Sequence, residues 1–248
     1  MAGLRKKFLN GVFRDYGARN LPRVFVETGT FQGDLVFDIC SRFDRIHTIE
    51  LSPKWHAHAA ERLKPLTHVT CHLGDSAELL VTLAAAIAEP AVFYLDAHFA
   101  GGDTAFGPEE VPLMRELDAL SARPWKDIII IDDLRLIGRK GVSGRPGHPR
   151  YPPMEFDWSH LSLASIRQTF SGRGRLFWRE RDNRIIVFSN LSLPELARIR
   201  IRAALLEGGA IARHRSESVL TLLGTESPSR WAPLLKERWR NRRRRWTS

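Results

Sequence analysis

The sequence predicts one α/β domain built on a mostly parallel, seven-stranded sheet that closes with a C-terminal antiparallel hairpin. Three observations predict it. Between Arg23 and Asn190, apolar runs of strand length alternate with stretches of helical period, the pattern of βαβ units and a parallel sheet. The last two strand-like runs are separated only by residues 180–183, a short polar turn that suits an antiparallel pair. The chain has 248 residues, 43% of them hydrophobic, with no internal repeat, which is enough for one full core.

The elements follow in order. Strands are expected at 23–27, 45–51, 67–72, 91–96, 127–132, 174–180 and 184–189, each a short apolar run bounded by polar residues. Helices fit between them at 34–42, 53–63, 76–88, 109–121 and 160–170. Two of these starts carry specific signals, because Ser52-Pro53 and Asp75-Ser76 offer capping side chains and a proline in the first turn. Residues 138–158, rich in glycine, proline, arginine and histidine, have no period. They read either as a site loop at the carboxyl ends of the strands or as a surface insertion. The organisation expected is an N-terminal helical segment (1–22), the α/β core (23–190), an extension (191–229) with a helix at 193–206 and a strand at 218–223, and a basic tail (230–248).

Composition excludes several classes. The longest apolar stretch, around Leu79 to Ala88, is too short to span a bilayer, and the N-terminus lacks a signal-peptide pattern, so a cytoplasmic protein is expected. Cys40 and Cys71 have no metal-ligand spacing and read as reduced core thiols. The net charge of +10 is concentrated at the end, where residues 230–248 hold eight basic residues against Glu237. With Trp239 and Trp246 among the arginines, this tail suits an anionic surface or nucleic acid, or else a solvated, disordered end.

The informative stretch is Val24-Phe25-Val26-Glu27-Thr28-Gly29-Thr30-Phe31-Gln32-Gly33-Asp34. A buried strand ends at an acid and passes through Gly29 and Gly33 into a helix, so backbone can approach a ligand closely. The spacing Glu-x-Gly-x-x-x-Gly is not the dinucleotide pattern G-x-G-x-x-G. Acids also end other strands. Glu27, Glu50, Asp75, Asp96 and Asp132 all stand at or just beyond strand ends, with Asp133 following, and in a doubly wound sheet such ends converge on one crevice.

The glycine loop resembles motif I of the class I S-adenosylmethionine (SAM) methyltransferases, whose Rossmann-like, doubly wound sheet has the same element order. The resemblance covers about residues 23–190 and implies that Glu27, Gly29, Thr30 and Gly33 face the methionine part of SAM, Glu50 takes the ribose hydroxyls, and Asp75 and Ser76 meet the adenine. The N-terminal helix would pack over this cofactor site. Phe93-Tyr94-Leu95-Asp96-Ala97-His98, paired with Ile128-Ile129-Ile130-Ile131-Asp132-Asp133, is similar to the metal site of the catechol and macrolide-sugar O-methyltransferases. That likeness implies Mg²⁺ on Asp96, Asp132 and Asp133, with a hydroxylated small molecule or sugar as acceptor. The catalytic lysine of those enzymes has no counterpart, and His98 is the substitute as general base, with Asp96 beside it. Asp103 is a further candidate for metal or hydroxyl contact, and Arg135 either pairs with an acidic substrate group or neutralises the carboxylate cluster. Three other readings stay open: a nucleic-acid methyltransferase gripping through the tail, a non-catalytic binding module, and a nicotinamide-dependent dehydrogenase.

Overall fold

The computed structural model of the protein describes residues 6–16, 21–102, 104–144, 146–147, 153–172 and 174–205. The basic tail, the strand expected at 218–223 and Asp103 lie outside the described residues. The chain divides into a unit Met1–Arg200 and a unit Ile201–Ser248, and of the second only residues 201–205 are described, all helical.

The first unit runs α1 (Lys6–Tyr16), β1 (Val24–Thr28), α2 (Asp34–Ile39) with a 3-10 turn at Cys40–Arg42, β2 (Arg45–Glu50), α3 (Pro53–Leu63), β3 (Val69–Leu73), α4 (Ser76–Ala86), β4 (Ala91–Leu95), α5 (Leu113–Ser121), β5 (Ile128–Ile131), β6 (Lys140–Ser143), β7 (Met154–Asp157), α6 (Leu163–Gln168), β8 (Arg175–Arg181) and β9 (Arg184–Leu191). Residues 193–200 form a further helix, as expected from their pattern. Seven strands make one sheet in the order β3-β2-β1-β4-β5-β9-β8, parallel from β3 to β5 and antiparallel at β9 and β8. This is the α/β, doubly wound, mostly parallel sheet with a terminal hairpin that the sequence predicts. The hairpin turns at Asp182 and Asn183, with φ of 51° and 63°, the pair of positive angles that matches strand twist in a two-residue turn.

Parallel strands are covered on both faces, which is why β1, β4 and β5 read as continuous apolar runs. Alternate residues feed two cores. Val24, Val26, Phe93, Leu95, Ile129 and Ile131 pack with Leu80, Leu117, Ile166 and Phe170 on one face. Phe25, Ile46, Val92, Tyr94, Ile128 and Ile130 pack with Leu9, Val12, Val36 and Leu63 on the other. Helix α1 packs into this second core through Leu9, Val12 and Phe13, and its Phe8 ring lies against the Arg184 guanidinium at 5.0 Å.

The expected caps are present. Ser52 accepts from the Trp55 N–H with Pro53 behind it, and Asp75 accepts from the Ala77 N–H. Helix α5 starts at Leu113 rather than at 109, since Pro108 and Pro112 interrupt the earlier turn. Residues 138–158 are not wholly irregular, for β6 and β7 pair as a small separate sheet, Lys140 opposite Asp157. Cys40 and Cys71 are free thiols, partly exposed and packed against the second core. Among the described residues no helix is long and apolar enough to cross a membrane.

Candidate active site

The sheet order reverses between β1 and β4, the point where an open α/β sheet leaves a crevice outside its carboxyl ends. Register makes those ends flush, with Thr28 beside Ile49 and Leu95, and Leu95 beside Ile131. The residues that follow, Gly29, Glu50, Asp96 and Asp132, therefore meet around one opening. A cavity of about 630 Å³ lies there, within the roughly 300–1,000 Å³ of small-molecule sites.

One end of the cavity is built from the glycine loop. Gly29 has φ of 86°, and a Cβ on it would stand 2.8 Å from the Asp96 carbonyl oxygen, so only glycine lets β1 and β4 close up here. The loop is then held by Glu50. Its Oε2 accepts from the Phe31 N–H at 2.7 Å and its Oε1 from the Ser52 N–H at 2.9 Å, which aims the carboxylate along the cavity wall. Asp75 and Ser76 form the neighbouring wall. Asp75 also receives Arg115, and that same guanidinium reaches Glu109 at 3.3 Å, tying the loop before α5 to this end of the cavity.

Three residues assigned by resemblance to the cofactor do not line the cavity. Thr30 turns its hydroxyl to within 2.5 Å of that of Thr48. Gly33, with φ of 75°, forms the N-terminal boundary of α2 against Leu63. Glu27 is 3% exposed beneath the wall and accepts a 2.6 Å hydrogen bond from Thr48. Burial pushes its pKa up to about 8, with Glu50 adding to the rise and the Thr48 bond opposing it. Buried Glu116, which accepts from Ser76 at 2.6 Å, is likewise raised to about 7 by burial.

These raised values set a pH dependence. A carboxyl with a folded pKa above its unfolded value stabilises the fold fully below the unfolded pKa and loses that contribution as pH rises through the folded one. For Glu27 the window runs from the ordinary 4.5 to about 8. Thermal stability is expected to fall across it, and Glu27→Gln, which removes the burial of charge, should flatten the fall. Melting curves at intervals from about pH 5 to about pH 9 check this, and an unchanged slope in the variant would refute the assignment.

The other end holds the acids of β4 and β5. Tyr94, two residues before Asp96 on the same side of β4, donates to Asp96 Oδ2 at 3.1 Å and also to Asp132 Oδ2. Asp132 takes the Arg184 guanidinium on that same oxygen at 2.9 Å, and its Oδ1 accepts the Asp133 N–H at 2.8 Å. Asp133 has φ of 54°. Its Oδ1 receives Asn183 at 2.9 Å and Arg135 at 2.7 Å, so Arg135 neutralises a site carboxylate. His98 lies between the remaining oxygens, Nδ1 at 3.6 Å from Asp96 Oδ1 and Nε2 at 3.4 Å from Asp133 Oδ2. Burial, with the like charges of Asp132 and Asp133, holds the Asp96 carboxyl well above the usual range. Burial lowers the His98 pKa although Asp133 opposes it.

Asp96, His98 and Asp133 bring ligand atoms within 4.8 Å of one another, a donor set that fits a divalent cation. Asp132 is not in that group, contrary to the expected trio of Asp96, Asp132 and Asp133. Sequence reading also missed Tyr94, Asn183, Arg184 and Glu110. Glu110 accepts from Trp158 Nε1 at 3.2 Å and from the Asp157 N–H at 3.1 Å, which ties the β6–β7 sheet to the site. The position of Tyr94 at an even spacing from Asp96 was the one signal available.

No protein-family model matches the chain, and no curated protein sequence matches it. Solved structures do. It is 17% identical to an O-methyltransferase from Bacillus cereus in complex with S-adenosylhomocysteine, over 74% of this chain and 80% of that one, with a TM-score of 0.47. It is 15% identical to CalS10, an amino pentose methyltransferase from Micromonospora echinaspora, over 75% and 91%, with a TM-score of 0.46. It is 13% identical to the N-methyltransferase NodS from Bradyrhizobium japonicum, over 75% and 87%, with a TM-score of 0.42. Likenesses at this level say nothing of chemistry, which has to come from the chain's own residues.

Proposed function

We propose that the chain is a SAM-dependent methyltransferase acting on a hydroxyl of a small molecule or sugar. The observation that carries this reading is a single cavity lined by Glu50 and Asp75 after β2 and β3 and by Asp96, His98 and Asp133 after β4 and β5, with Gly29 between the two groups. The first group suits a nucleoside. A carboxylate such as Glu50 accepts from two vicinal hydroxyls, Asp75 accepts from an exocyclic amine, and the glycine loop lets backbone come close. The second group suits a sulfonium and an attacking oxygen, since its acids attract positive charge and can receive a proton.

In the reaction the acceptor oxygen attacks the methyl carbon, a C–O bond forms as the S–CH₃ bond breaks, and S-adenosylhomocysteine leaves. The hydroxyl proton passes to the set of Asp96, His98 and Asp133. A divalent ion on that set would supply Lewis acidity, lowering the pKa of a hydroxyl placed against it. Tyr94, Asn183 and Arg135 hold the carboxylates in place, and the cavity walls hold donor and acceptor in line, where positioning provides much of the rate.

Calorimetric titration of the purified protein with SAM and, separately, with NAD⁺ tests the reading. SAM is expected to bind at one site per chain and NAD⁺ not to bind. NAD⁺ binding without SAM binding would move the protein to the dehydrogenases, and binding of neither would leave only a cofactor-free module. With SAM bound, transfer of labelled methyl to a panel of catechols and sugars, against an RNA control, identifies the acceptor class.

A further inference from the structure

We infer that a second site, apart from the methyl-transfer cavity, lies along the open edge of β8 and takes a nucleotide, its base against an aromatic wall and its phosphate on two guanidiniums. The inference does not rest on the methyltransferase reading, because this groove and the cavity share no lining residue.

Three observations carry it. First, the groove has the size and the walls. Strand β8 is last in the sheet order and pairs with β9 alone, so one of its edges is open. A groove of about 390 Å³ there is lined by Arg167, Phe170, Leu176, Phe177, Trp178 and Arg200, within the roughly 300–1,000 Å³ of small-molecule sites. Phe177 and Trp178 are consecutive, so their rings leave opposite faces of the strand, and a groove that touches both runs along its edge. Arg167 comes from α6, which packs through Ile166 into one core, and Arg200 follows Ile199, which packs into the other. One guanidinium therefore reaches the groove from each side of the sheet.

Second, these two charges are not neutralised. Among the described residues no carboxylate lines the groove, and neither the Arg167 nor the Arg200 side chain has an ion pair or hydrogen bond. Arg115, Arg123, Arg135 and Arg184 by contrast are each tied to an acid. Two cations in one groove repel each other, and an anion placed against both removes that repulsion. The Arg167 guanidinium lies 4.8 Å over the Trp178 ring. Stacked in this way it keeps its N–H groups in its own plane, where a phosphate can take two of them. The indole N–H donates to Glu180 at 3.2 Å, which fixes the ring. An inorganic anion has no use for the aromatic wall and an apolar ligand none for the guanidiniums. A base joined to a phosphate uses both.

Third, the rival occupant of an open edge, an acidic peptide added as a further strand, meets an irregular template. The register of β8 shifts between Arg175 and Phe177, within the stretch that lines the groove. A break of this kind turns an edge away from strand addition.

The test follows a short fluorescein-labelled oligouridylate by anisotropy on the full-length protein, with and without saturating SAM. Uridine monophosphate, polyglutamate and phosphatidylglycerol vesicles serve as competitors. Wild type is expected to bind the probe equally in both conditions. Trp178→Ala should weaken binding by about 10- to 100-fold, and Trp178→Phe should restore most of it. Arg167→Ala and Arg200→Ala should each lower the slope of log Kd against log salt by about 0.7. Melting curves on every variant exclude misfolding. Residues 230–248 are also basic, so a chain with Arg242, Arg243, Arg244 and Arg245 changed to Ala runs in parallel and should keep its dependence on Trp178. Displacement by uridine monophosphate marks the ligand as a free nucleotide, and displacement by unlabelled oligouridylate alone marks it as a strand. Four results overturn the inference: no probe binding by wild type, equal binding by Trp178→Ala, displacement of the probe by SAM, or displacement by polyglutamate or vesicles as effective as that by oligouridylate.

Discussion

Glu50→Ala is expected to weaken SAM binding by at least about 100-fold. Two hydroxyl-to-carboxylate hydrogen bonds are worth about 1.5–3 kcal/mol each, and every 1.4 kcal/mol is about tenfold in Kd. A second loss adds to this. The same carboxylate holds the Phe31 and Ser52 N–H groups, so its removal also loosens the glycine loop and the start of α3. Glu50→Gln should recover little, because an amide keeps one acceptor oxygen but turns an NH₂ toward an N–H that needs an acceptor. Calorimetry with SAM and a thermal melt on each variant separate the two contributions. Should Glu50→Ala bind SAM as tightly as wild type, the nucleoside end of the cavity has been misassigned.

Much of the fold was legible because its signals are local. The run Ile128-Ile129-Ile130-Ile131 admits no other reading than a strand buried on both faces, and Ser52-Pro53 and Asp75-Ser76 mark helix starts by chemistry that acts within three residues. Elements defined by distant partners were not legible. Strands β6 and β7 have four residues each and expose most of them, so the alternation of Met154 and Phe156 with Glu155 and Asp157 in β7 is too short to mark a strand by itself. They exist because Lys140 to Ser143 finds Met154 to Asp157 across an intervening stretch rich in glycine and proline. Helix α4 stops at Ala86, two residues early, because buried Arg123 collects the carbonyls of Ala84, Ile87 and Glu89.

The site divides in the same way. That acids would gather at the strand ends follows from the parallel sheet, and Gly29, Glu50, Asp75, Ser76, Asp96, His98, Asp132 and Asp133 do share one cavity. Which oxygen points where does not follow. Asp132 and Asp133 are adjacent in sequence, yet the left-handed backbone of Asp133 sends its carboxylate to His98, while Asp132 turns to Tyr94 and Arg184. Arg184 comes from the start of β9, more than fifty residues on, and nothing near Asp132 announces it. Glu27 and Thr30 were assigned outward for the same reason, since a strand-end side chain can face the ligand or the neighbouring strand, and Thr48 on β2 decides it.

Asp127→Ala is expected to cost about 3–5 kcal/mol, the usual consequence of leaving a buried charge without its partner. Asp127 is 0% exposed at the amino-terminal edge of the sheet, just before β5. Its Oδ2 receives Arg123 Nε at 2.8 Å, and its Oδ1 receives Arg123 Nη2 at 3.1 Å and the Ala91 N–H at 3.0 Å. Arg123 in turn donates to the carbonyls of Ala84 in the last turn of α4 and of Ile87 and Glu89 beyond it, and lies over the Phe93 ring at 5.0 Å. One ion pair thus closes α4, β4, α5 and β5 at the end opposite the cavity. For a unit of this size the loss should lower Tm by about 2–4 °C per kcal/mol. Removing both partners by Arg123→Leu with Asp127→Leu should cost less than the sum of the single changes, since neither charge is then stranded. Urea unfolding of the two single variants and the double variant measures this, and a loss under about 1 kcal/mol in Asp127→Ala would mean that the pair is not the anchor described. The contrast with the other edge explains why such an anchor is needed. Around the carboxyl ends Glu27 on β1, Asp96 after β4 and Glu116 on α5 have pKa values raised by desolvation, so this edge carries groups that oppose folding when ionised. The satisfied pair at the far edge lets the sheet carry that cost where the ligand is to bind.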